Sequence, residues 1–330
     1  TCAFAKLAKS TKVEEVSIAE YASAKEYYDY LLRFTQINKN GYQQFNQNQF
    51  AQLLNLIKTP EDVQEVKQAY YNFVGNKEKI INKQIDQFIR KAMQVNKSEL
   101  LHEILYNHNF LMYYPTTSLL YELTQHYQST QNNDAITDLA KIFSCTYFLK
   151  IDSQILDTLS SYAVQQKLNQ VIFYVARAAL IRDLVSINEN TINNILVGFA
   201  RSLQEPSEDQ KIEKNINKFL GFIKKCYVGH NCINGKAYLH LAKKEIDECF
   251  IELANYNLIQ NTNAINIIQY DNIMEEFLNV LENQLKENPN EKHIQRLEKV
   301  YKDIKIKLGD QAIQKEAQEK FEQIISSKQQ

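Results

Sequence analysis

Tryptophan is absent from this chain, and its 330 residues include only 7 Gly, 4 Pro, 5 Cys and 3 Met. Each shortage excludes something. Sheets joined by tight turns draw heavily on Gly and Pro, so an all-α fold is favoured. The scarcity of Gly also removes the material for a phosphate-cradling loop. Five Cys without repeated spacing do not make a disulfide framework, and the odd count suits a reducing compartment. No run of 18 apolar residues occurs, so no membrane span is expected. Charge of one sign is lacking too: 38 basic and 39 acidic residues leave a net charge of -1. Proteins that live on phosphate backbones usually carry a clear basic excess. Motifs of the G-x-S-x-G, H-E-x-x-H and phosphate-loop types are missing. The acid pairs Glu14–Glu15 and Glu275–Glu276 are adjacent in sequence and do not converge on a helix. Neither an enzyme nor a bound cofactor is expected.

What is present is a repeat. Hydrophobic residues make up 44% of the chain, and many recur at a period of 35 to 36. Phe50, Leu53, Leu54 and Ile57 are followed by Ile85, Phe88, Ile89 and Ala92. The next copies are Leu120, Leu123, Thr124, Tyr127; Leu156, Leu159, Ser160, Ala163; and Ile192, Ile195, Leu196, Phe199. Every set has i, i+3, i+4, i+7 spacing, one face of an α-helix. Between them lies a second helical pattern: Ile136, Leu139, Ala140 and Phe143, a stripe that begins at Asp134 and ends near Leu149, and, 36 residues on, Ile172, Val175, Ala176, Ala179. Asp152 or Ser153 and Asn188 are placed to cap the first helices that follow, and Pro115 stands where a helix can begin without an amide proton. One such helical pair cannot hide its own apolar flank, so pairs must stack. The pattern predicts an α-solenoid of stacked helical hairpins with a C-terminal helical extension. The expected organisation is an N-terminal helical segment (1–44), the repeats (45–205), an irregular helical region (206–290) and an amphipathic helix (291–330). In the irregular region Gly229–Gly235 reads as a loop and Tyr238–Asn255 as one helix. In the last segment Ile294, Leu297, Tyr301, Ile304 and Leu308 form a 3, 4, 3, 4 seam, which reads as a helix capping the solenoid end or, more sharply, as the expected partner-binding face.

The paired unit resembles the pentatricopeptide repeat, with the tetratricopeptide repeat as its rival. Ala140 and Phe143 match the second-helix Ala and aromatic. Ile151–Asp152 falls where Pro–Asp is frequent, and Leu159 and Tyr162 match the first-helix signature. The likeness covers residues 45 to 205, without the family's turn Gly. Sequence-reading members bind one RNA base per repeat through two or three side chains. The resemblance places the early reading positions at Ala51, Asp86, Tyr121, Asp157 and Asn193, and the last positions at Ile81, Thr116, Asp152 and Asn188. Of the early positions only Asn193 carries the usual residue type, and two are Asp, which repels phosphate. The resemblance therefore implies the scaffold more than the reading.

Cys226, His230 and Cys232, with His240 and Cys249 beyond, form the one cluster with metal-ligating side chains, although its spacing is not that of a zinc motif. Ordinary buried thiols are the simpler expectation. His102, His108 and His126 do not share a helical face, and the doublets Tyr27–Tyr28, Tyr70–Tyr71 and Tyr113–Tyr114 read as packing residues. Residues 1–12 hold three Lys and no acid, the character of an organelle transit segment. The expected role is a non-catalytic scaffold or accessory subunit of a large mitochondrial assembly, respiratory, ATP-synthase or ribosomal, whose partners are other protein subunits. The alternative is an RNA-binding pentatricopeptide-like protein of organelle RNA metabolism.

Overall fold

The computed structural model describes residues 21–37, 41, 45–109, 111–204, 209–226 and 232–255, with single helical positions at 280, 283, 284, 292 and 295. The described residues form thirteen α-helices and no β-strand. The fold is all-α. The chain divides into two compact units, Thr1–Pro115 and Thr116–Gln330.

Unit 1 holds α1 (Ala24–Phe34), α2 (Gln47–Asn55), α3 (Pro60–Gly75), α4 (Asn82–Gln94), a 3-10 turn (Ser98–Leu101) and α5 (His102–Tyr106). Local chemistry sets where these helices start. Thr59 accepts from the Asp62 amide, and the Asp62 carboxylate accepts from Thr59 N at 2.9 Å. Pro60 follows at the first helical position, where a missing N–H costs nothing. Asp62 also accepts from Ala24 N at 3.4 Å, which ties the start of α1 to the start of α3. Further along, Asn72 donates to the Tyr28 hydroxyl. Both contacts run in the same direction, so α1 and α3 are parallel, and α2 packs on α4 in turn.

Unit 2 holds α6 (Thr117–Ser129), α7 (Asn133–Cys145), α8 (Ser153–Gln165), α9 (Asn169–Ile181), α10 (Glu189–Gln204), α11 (Asp209–Ile223), α12 (Ile233–Ala242) and α13 (Ile246–Asn255). Alternate helices pack on each other: α6 on α8, α8 on α10, α10 on α12, and α7 on α9. The ties between them link residues about one repeat apart in sequence. Thr117 Oγ1 donates to the Lys150 carbonyl at 3.3 Å, Asn190 Nδ2 to Asp157 at 2.7 Å, and Arg201 to the Val164 carbonyl at 2.7 Å. Start meets start and end meets end, so α8 and α10 are parallel.

All twenty residues of the five repeated sets are buried. Removal of each large apolar side chain from water is worth about 1.5–3 kcal/mol. The caps expected at Asp152 and Asn188 are present: their carboxylate and amide oxygens accept from Ile155 N at 3.0 Å and Thr191 N at 2.8 Å. Pro115 lies one residue outside the helix, and Thr116 is the cap, accepting from Leu119 N at 3.2 Å.

The helix ends reveal how the shortage of Gly is met. Among the described residues, seven other than Gly have positive φ: Lys77, Asn96, Met112, Gln131, Lys167, Asp183 and Lys244. Each is followed by an amide that donates back five residues to close the helix, as in Leu168 N to Ala163 O at 2.8 Å and Asn132 N to Tyr127 O at 3.0 Å. This is the Schellman stop, for which Gly is the usual residue. Asn96, Gln131 and Lys167 stand 35 and 36 residues apart, so the repeat period is written in the turns as well as in the core.

Three expectations change. The helix expected over Tyr238–Asn255 is two helices, because Lys244 (φ 64°) takes the left-handed conformation and Glu245 N donates to His240 O at 2.9 Å. Gly235 lies inside α12 rather than in a loop. It is there for closeness: a Cβ at Gly235 would stand 2.8 Å from the Leu196 Cβ and 3.0 Å from the Asn193 Cα, so α12 meets α10 at the backbone. The second pattern that begins at Asp134 stops at Cys145 rather than near Leu149, since Thr146 is extended.

Candidate interaction surface

Six of the nine candidate base-reading positions are occupied by the fold itself. Thr116, Asp152 and Asn188 cap helices. Asp86 is buried and accepts from the Tyr113 hydroxyl at 2.6 Å. Burial and the adjoining carboxylate together push the Tyr113 phenol well above its ordinary range. Asp157 accepts from Asn190 Nδ2 at 2.7 Å and from Thr191 Oγ1 at 3.2 Å. Asn193 accepts from the Gly235 amide at 3.0 Å. A ladder of side chains joins α8 to α10: besides the Asp157 bonds, Asn194 donates to Ser160 at 3.3 Å and to Ser161 at 3.1 Å. These groups satisfy one another, and a base edge would have to displace them.

Among the described residues no group of three or more His, Cys, Asp or Glu side chains could hold an ion. Cys226 donates to the Phe222 carbonyl at 3.6 Å, and Cys232 is buried at the start of α12. Burial pushes the thiols of Cys232 and Cys249 up to about 12, and Cys226 is raised by burial and then by Asp183. Thiols kept protonated are poor metal ligands. His240 meets Glu245 at 2.7 Å across the α12–α13 turn. In unit 1 the His108 ring binds the Leu105 carbonyl at 2.9 Å, and burial lowers its pKa. His230 and the seam Ile294, Leu297, Tyr301, Ile304, Leu308 lie outside the described residues.

The two kinds of connection differ in a way that no sequence pattern marks. Large hydrophobic side chains left exposed among the described residues cluster where a second helix leads into the next first helix. In unit 1 these are Phe34 and Tyr106, the last residues of α1 and α5, with Ile37 after α1, Ile81 before α4, and Met112 and Tyr114 after α5; in unit 2 they are Tyr147 and Phe148 after α7. Outside this class only Leu32 and Ile251 are exposed. The opposite turns, Thr130–Asn132 and Gln166–Leu168 among them, leave no large hydrophobic side chain exposed. Single exposed apolar residues are ordinary, but most of these fall at or next to one class of connection.

The connection after α7 is firmly built. The Arg182 guanidinium donates to the carbonyls of Phe143 at 2.8 Å and Leu149 at 3.4 Å and also to that of Thr146, closing the open end of α7 from one repeat away. Burial lowers the Arg182 pKa to about 10, which leaves it charged at neutral pH. Leu149 and Ile151 are buried, whereas Tyr147 and Phe148 are 61% and 62% exposed and meet edge-to-face at 5.6 Å. No sequence pattern announces Arg182 as a clamp, because three of its four acceptors are backbone groups 33 to 39 residues earlier, the fourth being the Ala178 carbonyl of its own helix.

Compared with known proteins, the chain matches no family model, and no curated protein is similar to it.

Proposed function

We propose that this chain is a non-catalytic scaffold subunit: an α-solenoid of degenerate pentatricopeptide-like hairpins that holds protein neighbours in a large, mitochondrial assembly. The observation that carries this reading is the internal use of the reading positions. Six of the nine candidate base-reading positions (Asp86, Thr116, Asp152, Asp157, Asn188 and Asn193) have their side-chain oxygens engaged in caps or bonds between elements. Polar groups spent on holding a stack are not available to read a base. Alternate parallel helices tied one repeat apart are what a solenoid requires, and a stack of this kind supplies length and surface rather than a reaction centre.

Purification of the native particle without denaturants, followed by chemical cross-linking, tests the reading. The chain is expected to co-migrate with other subunits and to cross-link to them reproducibly. A monomer that binds single-stranded RNA tightly, with affinity falling steeply as salt rises, would replace this reading by the RNA-binding one.

A further inference from the structure

Two helices of unit 2 carry opposite charge. On α11 and the turn beyond it Lys214, Lys218, Lys224 and Lys225 are exposed, and Glu213 is the one exposed acid among the described side chains there. α13 is the reverse. Its ten residues include Asp247, Glu248 and Glu252 and no Lys, Arg or His; Lys243 and Lys244 precede it in the turn. Asp247 and Glu248 are exposed, Glu252 is half-buried, and Ile251 among them is 55% exposed. Gly221 stands within the basic face, and nothing in the fold calls for it. Gly198 and Gly235 are demanded from within, since a Cβ would stand 2.6 Å from Ile172 Cγ2 and 2.8 Å from Leu196 Cβ. Gly75 is the last residue of α3. Gly221 has neither reason: it lies inside α11, is exposed, has no positive φ, and a Cβ built there would meet nothing within 4 Å. Gly suits a helix less well than Ala, so Gly at an open helical site points to a close approach from outside the chain.

We propose that α11 of one copy of this chain docks against α13 of a second copy, with Ile251 seated at Gly221. The two faces fit in spacing as well as in charge. Residues three and four apart share a helical face. Around Gly221 these are Asn217, Lys218, Lys224 and Lys225, so the missing side chain leaves a hole with three ammonium groups at its rim. Ahead of Ile251 they are Asp247 and Glu248, with Glu252 next to it, so a branched apolar knob stands among carboxylates. A knob set into a hole made by four residues is how packed helices interlock. Opposite charges around an apolar centre fix the register and reject other partners. Met reciprocally, the two contacts close a two-fold pair and leave neither face open. This inference is independent of the scaffold reading: a subunit could hold other neighbours and never pair with itself, or pair and have no other neighbour.

Analytical sedimentation of the full-length chain over a wide range of concentrations tests the pairing. A monomer–dimer equilibrium that weakens as salt rises is expected. Gly221→Ala is the most discriminating variant. Within one copy it fills open space and improves the helix, so the thermal midpoint should hold or rise. Between copies it fills the hole, and pairing should weaken about tenfold. Lys218→Glu/Lys225→Glu and Glu248→Lys/Glu252→Lys should each pair less well than the wild type when alone. An equal mixture of the two should pair again, since both contacts of the mixed dimer join opposite charges. A monomer at every concentration, a Gly221→Ala chain that pairs as tightly as the wild type, or a mixture no better than its components would overturn the proposal. So would pairing seen only when other subunits of the native particle are added, which would assign these faces to a different protein.

Discussion

The seam between α2 and α4 in unit 1 and the seam between α8 and α10 in unit 2 hold equivalent places in the repeat and are made of opposite chemistry. In the first, Phe50 and Phe88 meet edge-to-face at 6.2 Å, and Phe50 also packs against Tyr70 and Phe73. In the second, Asp157, Ser160 and Ser161 receive the side chains of Asn190, Thr191 and Asn194. The repeat determines which positions face each other; it leaves open what fills them. Rings attract in many orientations, so an aromatic seam supplies stability and tolerates small slips. A hydrogen-bonded ladder works only in one register, so a polar seam supplies alignment.

The largest effect is expected where rings fill the seam. Phe88→Ala removes a fully buried ring and should cost about 3–5 kcal/mol, read by urea denaturation. A loss below about 1 kcal/mol would show that the aromatic seam is not what holds α2 to α4. High pH probes the units by different groups. In unit 2, burial raises Cys232 and Cys249 from 9.0 to about 12. In unit 1, burial raises Tyr27 and Tyr71 from 10.0 to about 12. Folded values above unfolded ones mean that the neutral groups stabilise fully below the ordinary value, and that this contribution is lost as pH climbs to the folded value. Each buried thiol thus places up to about 4 kcal/mol at risk when fully ionised, in order of magnitude. Stability should begin to fall above about pH 9, before the tyrosines take part above about pH 10. Cys232→Ala/Cys249→Ala should flatten the first part of that decline. Parallel curves for variant and wild type would rule the thiols out.

The polar seam should be the weaker of the two when cut. Asp157→Ala leaves the Asn190 amide and the Thr191 hydroxyl without an acceptor that both now use, at a cost of about 1–3 kcal/mol. A double-mutant cycle with Thr191→Val should return a coupling of about 0.5 kcal/mol or more if the ladder acts as a unit. Additive losses would reduce the ladder to independent surface contacts and erase the contrast between the seams.

Much of this fold was legible because its core obeys a period. Five sets of four positions pointed to one helical face, and all are buried. The caps at Asp152 and Asn188 were readable for the same local reason, a short acceptor side chain ahead of an apolar run. Other features depend on partners far away in sequence. Gly235 reads as a turn residue by composition; only the approach of α10 shows why it stands inside a helix. Lys244 breaks a helix that the apolar spacing would have continued, since positive φ at Lys leaves no mark in a hydrophobic pattern. The exposed Tyr147–Phe148 pair was hidden by its own composition: an aromatic pair beside Leu149 and Ile151 looks like core, yet both rings are exposed.

The smallest contrast is at equivalent turns of the two units. Asn96 (φ 53°) ends α4, and Gln131 (φ 52°), 35 residues on, ends the turn after α6. Both are left-handed, and both precede an amide that closes the helix, Lys97 N to Ala92 O at 2.9 Å and Asn132 N to Tyr127 O at 3.0 Å. Left-handed backbone costs a β-carbon-bearing residue about 1 kcal/mol, less for Asn, whose short polar side chain tolerates it. Gly removes that cost but adds freedom to the unfolded chain, which takes back part of the gain. Gln131→Gly should therefore stabilise by about 0.5–1 kcal/mol and Asn96→Gly by about 0.3 kcal/mol or less, read as shifts in the thermal midpoint. Equal gains at the two positions would mean that Asn is no better suited to this turn than Gln. A loss at Gln131→Gly would mean that its side chain, rather than its backbone, is what the turn depends on.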